Sequence, residues 1–562
     1  MVDILTACRV RNRLLYYTSP GQEVRGVFIG GVELRIKSLF LLVMIPVLSV
    51  MAQETKRTYN PEDIVVTRWV DPTGSKPLTA AQWFSDHPPG PMDTTTLMTT
   101  GGRRGDILIL ISQTVWDSVG NLLSVYIDQL TSEGWGVTAT VVEGGSPTAL
   151  KELIITQDPV PAGVFMIGSL PVAWFQMLTD WGYEEFPIDL YYMDLNGTWS
   201  DQYIHQVVGG NHTLVPGSDG IFDTHTGLVQ PETPVGRLEA STIDWDDEIE
   251  LVENYFSKNL SYRRGGLRLS QQGLSYVDDD WSYWTTVGLD AVYDDVVVVN
   301  DPEVTRGADY GERLLDGYEW IGVMVHSWPG GHSFKYNNGW NWDTFYASDL
   351  YYTVDAQANF YNLFACSNAR YTDANYMAGI YVMAGTWGVG ALGSTKTGSM
   401  LDFEYFYDAL GAGSTMGGAY LQWFQFEANG GFDLWQQQWF YGMTLIGDPT
   451  LRPAMPADDE PPLPVSDLCV DISSDSVHLS WSPITDNLWV DHYVIYRFNA
   501  PYQNVTQEDS LAAVTGTGYT DAISTGDTSS YYYLIRARDG AGNLASDSNR
   551  VGLEKYLFQE FP

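Results

Sequence analysis

The chain has 562 residues, with 29 Lys and Arg against 70 Asp and Glu, a net charge of −41. Hydrophobic residues make up 44% and charged residues only 18%, which supplies large cores and excludes a disordered acidic tail. So negative a chain is not expected to take nucleic acid as a partner, because phosphate binding needs clustered Lys and Arg.

In chain order, Arg35 and Lys37, the apolar run 39–50 and the small residues Val50 and Ala52 read as a secretory signal over 35–52, cut before Gln53. The run is shorter than the ~20 residues that span a bilayer, so the mature chain is expected to be exported, secreted or at the cell surface, with no stable membrane span. Residues 1–34 stand ahead of this signal as a misassigned start would leave them. Loss of this leader (1–52) removes Cys8 and leaves Cys366 and Cys469, which is no disulfide framework.

Residues 53–104 are polar and rich in Pro, Gly and Thr, and read as a linker or a short pro-segment. Order is expected from Asp106. The apolar run 107–111 predicts a strand buried on both faces. A helix over 122–130, a strand over 137–142 and a third strand over 163–168 follow, a β-α-β-α-β order that implies a parallel sheet. A helix is expected over 248–260. A second α/β segment has strands at 273–277, 296–299, 318–325, 360–365 and 388–393. The body, 105–455, is thus an α/β unit of two segments with helices on both sheet faces.

The Pro-rich acidic stretch 456–464 reads as a linker. Short alternating strands at 477–481, 493–497 and 531–537 then predict a small all-β sandwich over 465–553, followed by a tail, 554–562. Leu479-Ser-Trp481, Tyr493-Val-Ile-Tyr-Arg497 and Asp539-Gly-Ala-Gly-Asn543 resemble a fibronectin type III domain, with Cys469 expected in its core.

Two places carry chemistry. Trp320–Val325 is followed by His326-Ser327, and Phe360–Ala365 by Cys366-Ser367. Ligands bind open parallel sheets at the carboxyl ends of strands, and a thiol becomes a useful nucleophile when an imidazole assists its deprotonation. The bland alternatives are a buried core cysteine and a satisfied loop histidine, and their paired placement speaks against both. Gly393-Ser-Thr-Lys-Thr397 lacks the spacing of a phosphate loop, and no zinc helix of the form H-E-x-x-H or G-x-S-x-G elbow occurs. Asp278-Asp-Asp280 and the group Asp219, Asp223 and Glu232 are candidate oxygen-ligand sets for a cation, set against a solvated acidic face.

At these residues the sequence is similar to the gingipain family of caspase-like cysteine peptidases, which carry one hydrophobic block ending in His-Gly and another ending in Ala-Cys. Ala365-Cys366 matches the second block, and His326-Ser327 departs from the first by a Ser. Asp189-Leu-Tyr-Tyr-Met-Asp194, Pro231–Leu238, Gly385–Ser394 and Leu445–Leu451 resemble other landmarks of the family in the same order. Gly168-Ser169 departs from the family's Gly-Asp, and the long pro-domain of its best-known members is not evident.

The resemblance implies a caspase-like parallel-sheet fold and a cysteine endopeptidase acting on protein or peptide substrates, with no cofactor required and structural calcium in some members. It implies Cys366 as nucleophile, His326 as acid and base, and the backbone N–H groups of Ser327 and Cys366 as oxyanion donors. A carboxylate is expected to orient His326, Asp189 first and Asp194 second. Trp387, Lys396, Asp402 and Glu404 are expected to line the substrate pocket. Ser327 raises a question of backbone shape, since Gly permits a positive φ that Ser tolerates poorly. His332, six residues past His326, is expected to be a solvated loop residue. The competing functions are a non-catalytic surface or adhesion protein on a peptidase fold and a secreted carbohydrate-active enzyme.

Overall fold

The computed structural model describes residues 63–337, 339–473, 475–523 and 529–553. The expected signal, 35–52, and the tail, 554–562, lie outside the described residues. Everything below belongs to the unit Val65–Pro562.

A single 13-stranded sheet organises the body. Its strands are β1 (Met92–Thr99), β2 (Asp106–Ser112), β3 (Gly136–Gly144), β4 (Gly163–Ile167), β5 (Val235–Leu238), β6 (Gln272–Val277), β7 (Asp295–Val299), β8 (Tyr318–Trp328), β9 (Gly331–Tyr336), β10 (Asn341–Tyr346), β11 (Ala358–Ala365), β12 (Gly390–Ser394) and β13 (Met443–Gly447). The order across it is β1-β3-β2-β4-β5-β13-β12-β11-β8-β6-β7, with β9 and β10 continuing from the end of β8. Pairing is parallel except for β1 with β3, β12 with β13 and the β8-β9-β10 extension. The two expected α/β segments therefore share one sheet, joined where β5 pairs with β13.

The central strands are apolar because both of their faces are covered. On one face Ile109, Phe165, Ile321, Val323 and Leu363 belong to a core with Tyr126 and Ile127 of α1 (Gln113–Ser132) and Tyr255 and Phe256 of α2 (Glu248–Arg263). On the other, Trp320 stacks on Phe360 and meets Phe406 and Tyr407 of α3 (Glu404–Gly411).

Three expectations need correction. The helix expected over 122–130 begins at Gln113, where the Ser112 hydroxyl caps it by accepting the Val115 N–H. Its polar first turns and Gly120 hide the period. Order begins before Asp106: the stretch expected as a linker or a short pro-segment carries a helix, Ala80–Asp86, capped by Thr79, and the edge strand β1. The threonines of β1 stay exposed because only one neighbour, β3, covers it.

Past residue 464, strands Cys469–Ile472, Ser476–Ser480 and Gly518–Ala522 form one antiparallel sheet, and Val490–Phe498, Ser510–Val514, Tyr531–Asp539 and Val551–Leu553 another. Val477, Leu479, Trp481, Ile495, Tyr533 and Ile535 make their common core. Cys469 is exposed on the outermost strand of its sheet, against the expectation of a core residue.

Candidate active site

Register places Cys366 and His326 on neighbouring strands. β8 and β11 are parallel neighbours, with Val325 opposite Ala365. Adjacent strands run ~4.8 Å apart and residues two apart share a face. Met324 and Phe364 are opposite in that register, and His326 and Cys366 stand two residues on from them. The Trp281 ring touches both sets, 4.8 Å from the His326 ring and 5.2 Å from Phe364.

Asp280 orients the imidazole. It stands just past β6, the strand beside β8 on the side away from β11. The loop turns sharply because the Asp278 carboxylate accepts the Asp280 N–H. Asp280 Oδ2 lies 2.6 Å from His326 Nε2 and also pairs with Lys335 of β9. The other ring nitrogen, Nδ1, accepts the backbone N–H of Arg68 at 3.1 Å. The imidazole proton is therefore assigned to Nε2, facing Asp280.

Burial dominates the electrostatics. It pulls His326 below the usual histidine range against the opposing pull of Asp280, so the ring is neutral at pH 7. Burial would raise Asp280, but hydrogen bonds from His326 and Lys335 outweigh it and hold that carboxyl at about 2. Burial, with the charge of Glu184, pushes the Cys366 thiol up to about 12. Cys366 Sγ lies 3.6 Å from the hydroxyls of Ser367 and Thr397, and no hydrogen bond joins it to His326. As folded, the thiol and the imidazole are both buried and both neutral.

The Ser-for-Gly change after His326 has a plain account. β8 runs on to Trp328 and turns back into β9, so Ser327 lies in extended strand and is not among the positive-φ residues. Its hydroxyl is 2.9 Å from Nδ1 of His332, directly opposite in the ladder. His332, expected in a solvated loop, is fully buried because that hairpin folds its ring against Tyr310 and Tyr381. The Ser327 N–H, the expected oxyanion donor, is donated to the Arg68 carbonyl at 3.2 Å.

Asp189 does not orient His326. It is buried under Arg237, 2.6 Å from its Nη2, and accepts the hydroxyls of Thr444 and Tyr371. Asp194 serves His225 at 2.6 Å and the Trp199 indole. Both belong to the packing of the body around β5 and β13.

Of the expected pocket residues, Lys396 is near Cys366, buried, with Nζ 3.2 Å from Glu184. Trp387 is at the wrong end of the sheet. Its carbonyl accepts from Asn359, at the start of β11, whereas Cys366 follows the end of that strand. Asp402 is buried in a left-handed conformation (φ 51), and Glu404 is exposed on the first turn of α3.

The expected cation ligands do not converge. Asp219 accepts from the Gln176 side chain, Asp223 from the N–H groups of Gln202 and Tyr203, and Glu232 from the Leu195 N–H. These donor sets satisfy protein N–H groups and do not fit a shared calcium. Among the described residues, Asp278, Asp280 and His326 do gather within reach of a single point. There, however, Lys335 already supplies the positive charge.

Lys335, Glu184, Thr397 and the segment at Arg68 carry no sequence signal as site residues. The Asp278-Asp-Asp280 run reads in the sequence as a candidate cation set. Placing β6 beside β8 is what turns its last member into the partner of His326.

No protein-family model matches the chain. A solved structure of the Arg-specific cysteine proteinase gingipain R aligns with 79% of this chain and 98% of its own, at 11% identity and a TM-score of 0.42. Another solved protease aligns with 84% of this chain and 100% of its own, at 11% identity and a TM-score of 0.44. Among curated proteins, chitinase 63 of Streptomyces plicatus is 37% identical over 98 residues, 17% of this chain. The chain spans only 14% of that relative's length.

Proposed function

We propose that this protein is an exported cysteine endopeptidase of caspase-like architecture, with a fibronectin type III-like domain behind it. The observation that supports this reading is the pairing of Val325 with Ala365 on adjacent parallel strands, the residues just before His326 and Cys366. The sequence landmarks shared with the gingipain family add to it. The oriented imidazole supports it further, since Asp280 fixes Nε2 and leaves Nδ1 facing the groove.

In this mechanism Cys366 gives its proton to His326 Nδ1 as Sγ attacks the scissile carbonyl. The C–N bond then breaks, the leaving amine takes that proton, and a thioester remains. Water, deprotonated by His326, attacks the thioester and releases the acid and the thiol. Asp280 stabilises the imidazolium formed between the steps. The N–H groups of Ser327 and Cys366 hold the oxyanion, a donor of this kind contributing ~3 kcal/mol at the transition state.

The test compares the full chain with Cys366→Ala and His326→Ala on a mixed peptide library. Cleavage present in the parent and abolished by either substitution, and by thiol alkylation, is expected. Cleavage untouched by them contradicts the reading. The stretch shared with a chitinase favours a second reading, a carbohydrate-active enzyme, which sugar release insensitive to alkylation would identify.

A further inference from the structure

The chain's own residues 65–70 lie along β8 at His326 and Ser327 and reach the loop at Gly398. Trp69 pairs with Ser327 as a parallel bridge. The Val70 N–H donates to the Ser327 carbonyl at 3.2 Å, and the Ser333 hydroxyl donates to the Val70 carbonyl at 3.1 Å. The Trp281 indole donates to the Val65 carbonyl at 2.9 Å. Between these anchors, Arg68 places its N–H on His326 Nδ1 and its carbonyl on the Ser327 N–H. One residue thus takes up both groups that the proposed chemistry needs free.

Thr67, next before it, is fully buried, while the Arg68 side chain is exposed. The Thr67 hydroxyl accepts the Gly398 N–H at 3.0 Å. Gly398 follows Thr397, whose own hydroxyl is 3.6 Å from Cys366 Sγ. The loop here is tight, since Gly398 has φ +104 and a Cβ on it would stand 2.7 Å from the carbonyls of Gln438 and Trp439. A long side chain at the Thr67 position meets this wall. A charged one meets charges already spent, because Lys396 pairs with Glu184 and with the carbonyls of Thr397 and Gln438. The Thr397 N–H also goes to Glu184, at 3.0 Å.

We propose that the pocket beside Cys366 selects a short, uncharged, hydroxyl-bearing side chain, and that Val65–Val70 fills the groove in the place of substrate until it is displaced. This rests on the peptidase reading. The occupant's register explains why it survives. The nitrogen beside His326 is that of the Thr67–Arg68 bond, but the Ser327 N–H holds the next carbonyl along, that of Arg68. The bond that faces the imidazole therefore lacks the Ser327 N–H, one of its two oxyanion donors.

The experiment uses the full chain and two variants, Arg68→Pro, which removes the N–H on His326, and Thr67→Lys, which cannot enter the pocket. Iodoacetamide labelling of Cys366 is followed by mass spectrometry, with exposed Cys469 as the internal reference. Cleavage of a peptide library varied at the residue before the cut is measured in parallel, with circular dichroism as the fold control. Labelling of Cys366 relative to Cys469 is expected to rise at least tenfold in both variants. Cleavage is expected to concentrate after Thr and Ser. Unchanged labelling in both folded variants overturns the occlusion. Cleavage after Arg, Lys, Asp or Glu overturns the pocket assignment alone and leaves the peptidase standing. Raised labelling with no peptide cut in any variant overturns the pocket assignment together with the peptidase reading.

Discussion

At the scale of single residues, a half-buried aspartate and a buried one divide the work that the sequence offered to one. Asp280 holds the imidazole, and Asp189 holds Arg237. Their substitutions separate cleanly. Asp280→Asn is expected to lower kcat roughly 100-fold with little change in KM, within the range of a disrupted acid–base group. Because Asp280 is what resists the lowering of His326, the acid limb of the pH–rate profile moves to lower pH as well. Asp189→Ala leaves a buried guanidinium without its partner. It is expected to cost about 3–5 kcal/mol of stability, read by denaturant titration, while folded molecules keep the parent pH profile. The reverse pattern would return the orienting role to Asp189.

His332 makes a second residue-scale prediction. Burial holds it at about 3, against an ordinary value of 6.5. The unfolded chain therefore binds a proton that the folded chain refuses between those two values. The stability due to neutral His332 is complete above pH 6.5 and is lost progressively as the pH falls toward 3. His332→Phe is expected to flatten the fall in stability between pH 7 and pH 4, measured by urea unfolding at each pH. An acid limb as steep as the parent's would show that His332 does not set it.

At the scale of elements, strands buried on both faces were legible because they leave continuous apolar runs. The runs at 107–111, 318–325 and 360–365 lie within β2, β8 and β11. The ends of elements were not legible, and the site is built from ends. Nothing in His326-Ser327-Trp328 says that β8 continues three residues past Val325 and turns back into β9. Yet that extension buries His332 and places Lys335 on Asp280. The edge strand β1 was hidden by its threonines, and the Thr67–Val70 segment by its lack of period. Pairings between distant segments decide both, and a single sequence does not print them. The pair Cys366 and His326 was legible because each stands at the end of a strong apolar run. Asp280 was not identified as its partner, because strand order decides which of many acidic loops lies beside β8.

At the scale of the whole molecule, one wide sheet with both faces covered carries the candidate chemistry at the carboxyl ends of its central strands, where open parallel sheets bind ligands. The sulfur there is sealed, and the other described thiol, Cys469, lies open on the separate β module. The molecule therefore reports on its own state through two thiols of opposite exposure. The most direct test of the central claim is intact-mass and peptide mapping of the Arg68→Pro chain after treatment with a peptidyl chloromethyl ketone ending in threonine. The account expects one adduct, on Cys366, that disappears when His326→Ala is added, with peptide cleavage lost in step. Cleavage that continues undiminished once Cys366 is replaced by alanine would contradict it.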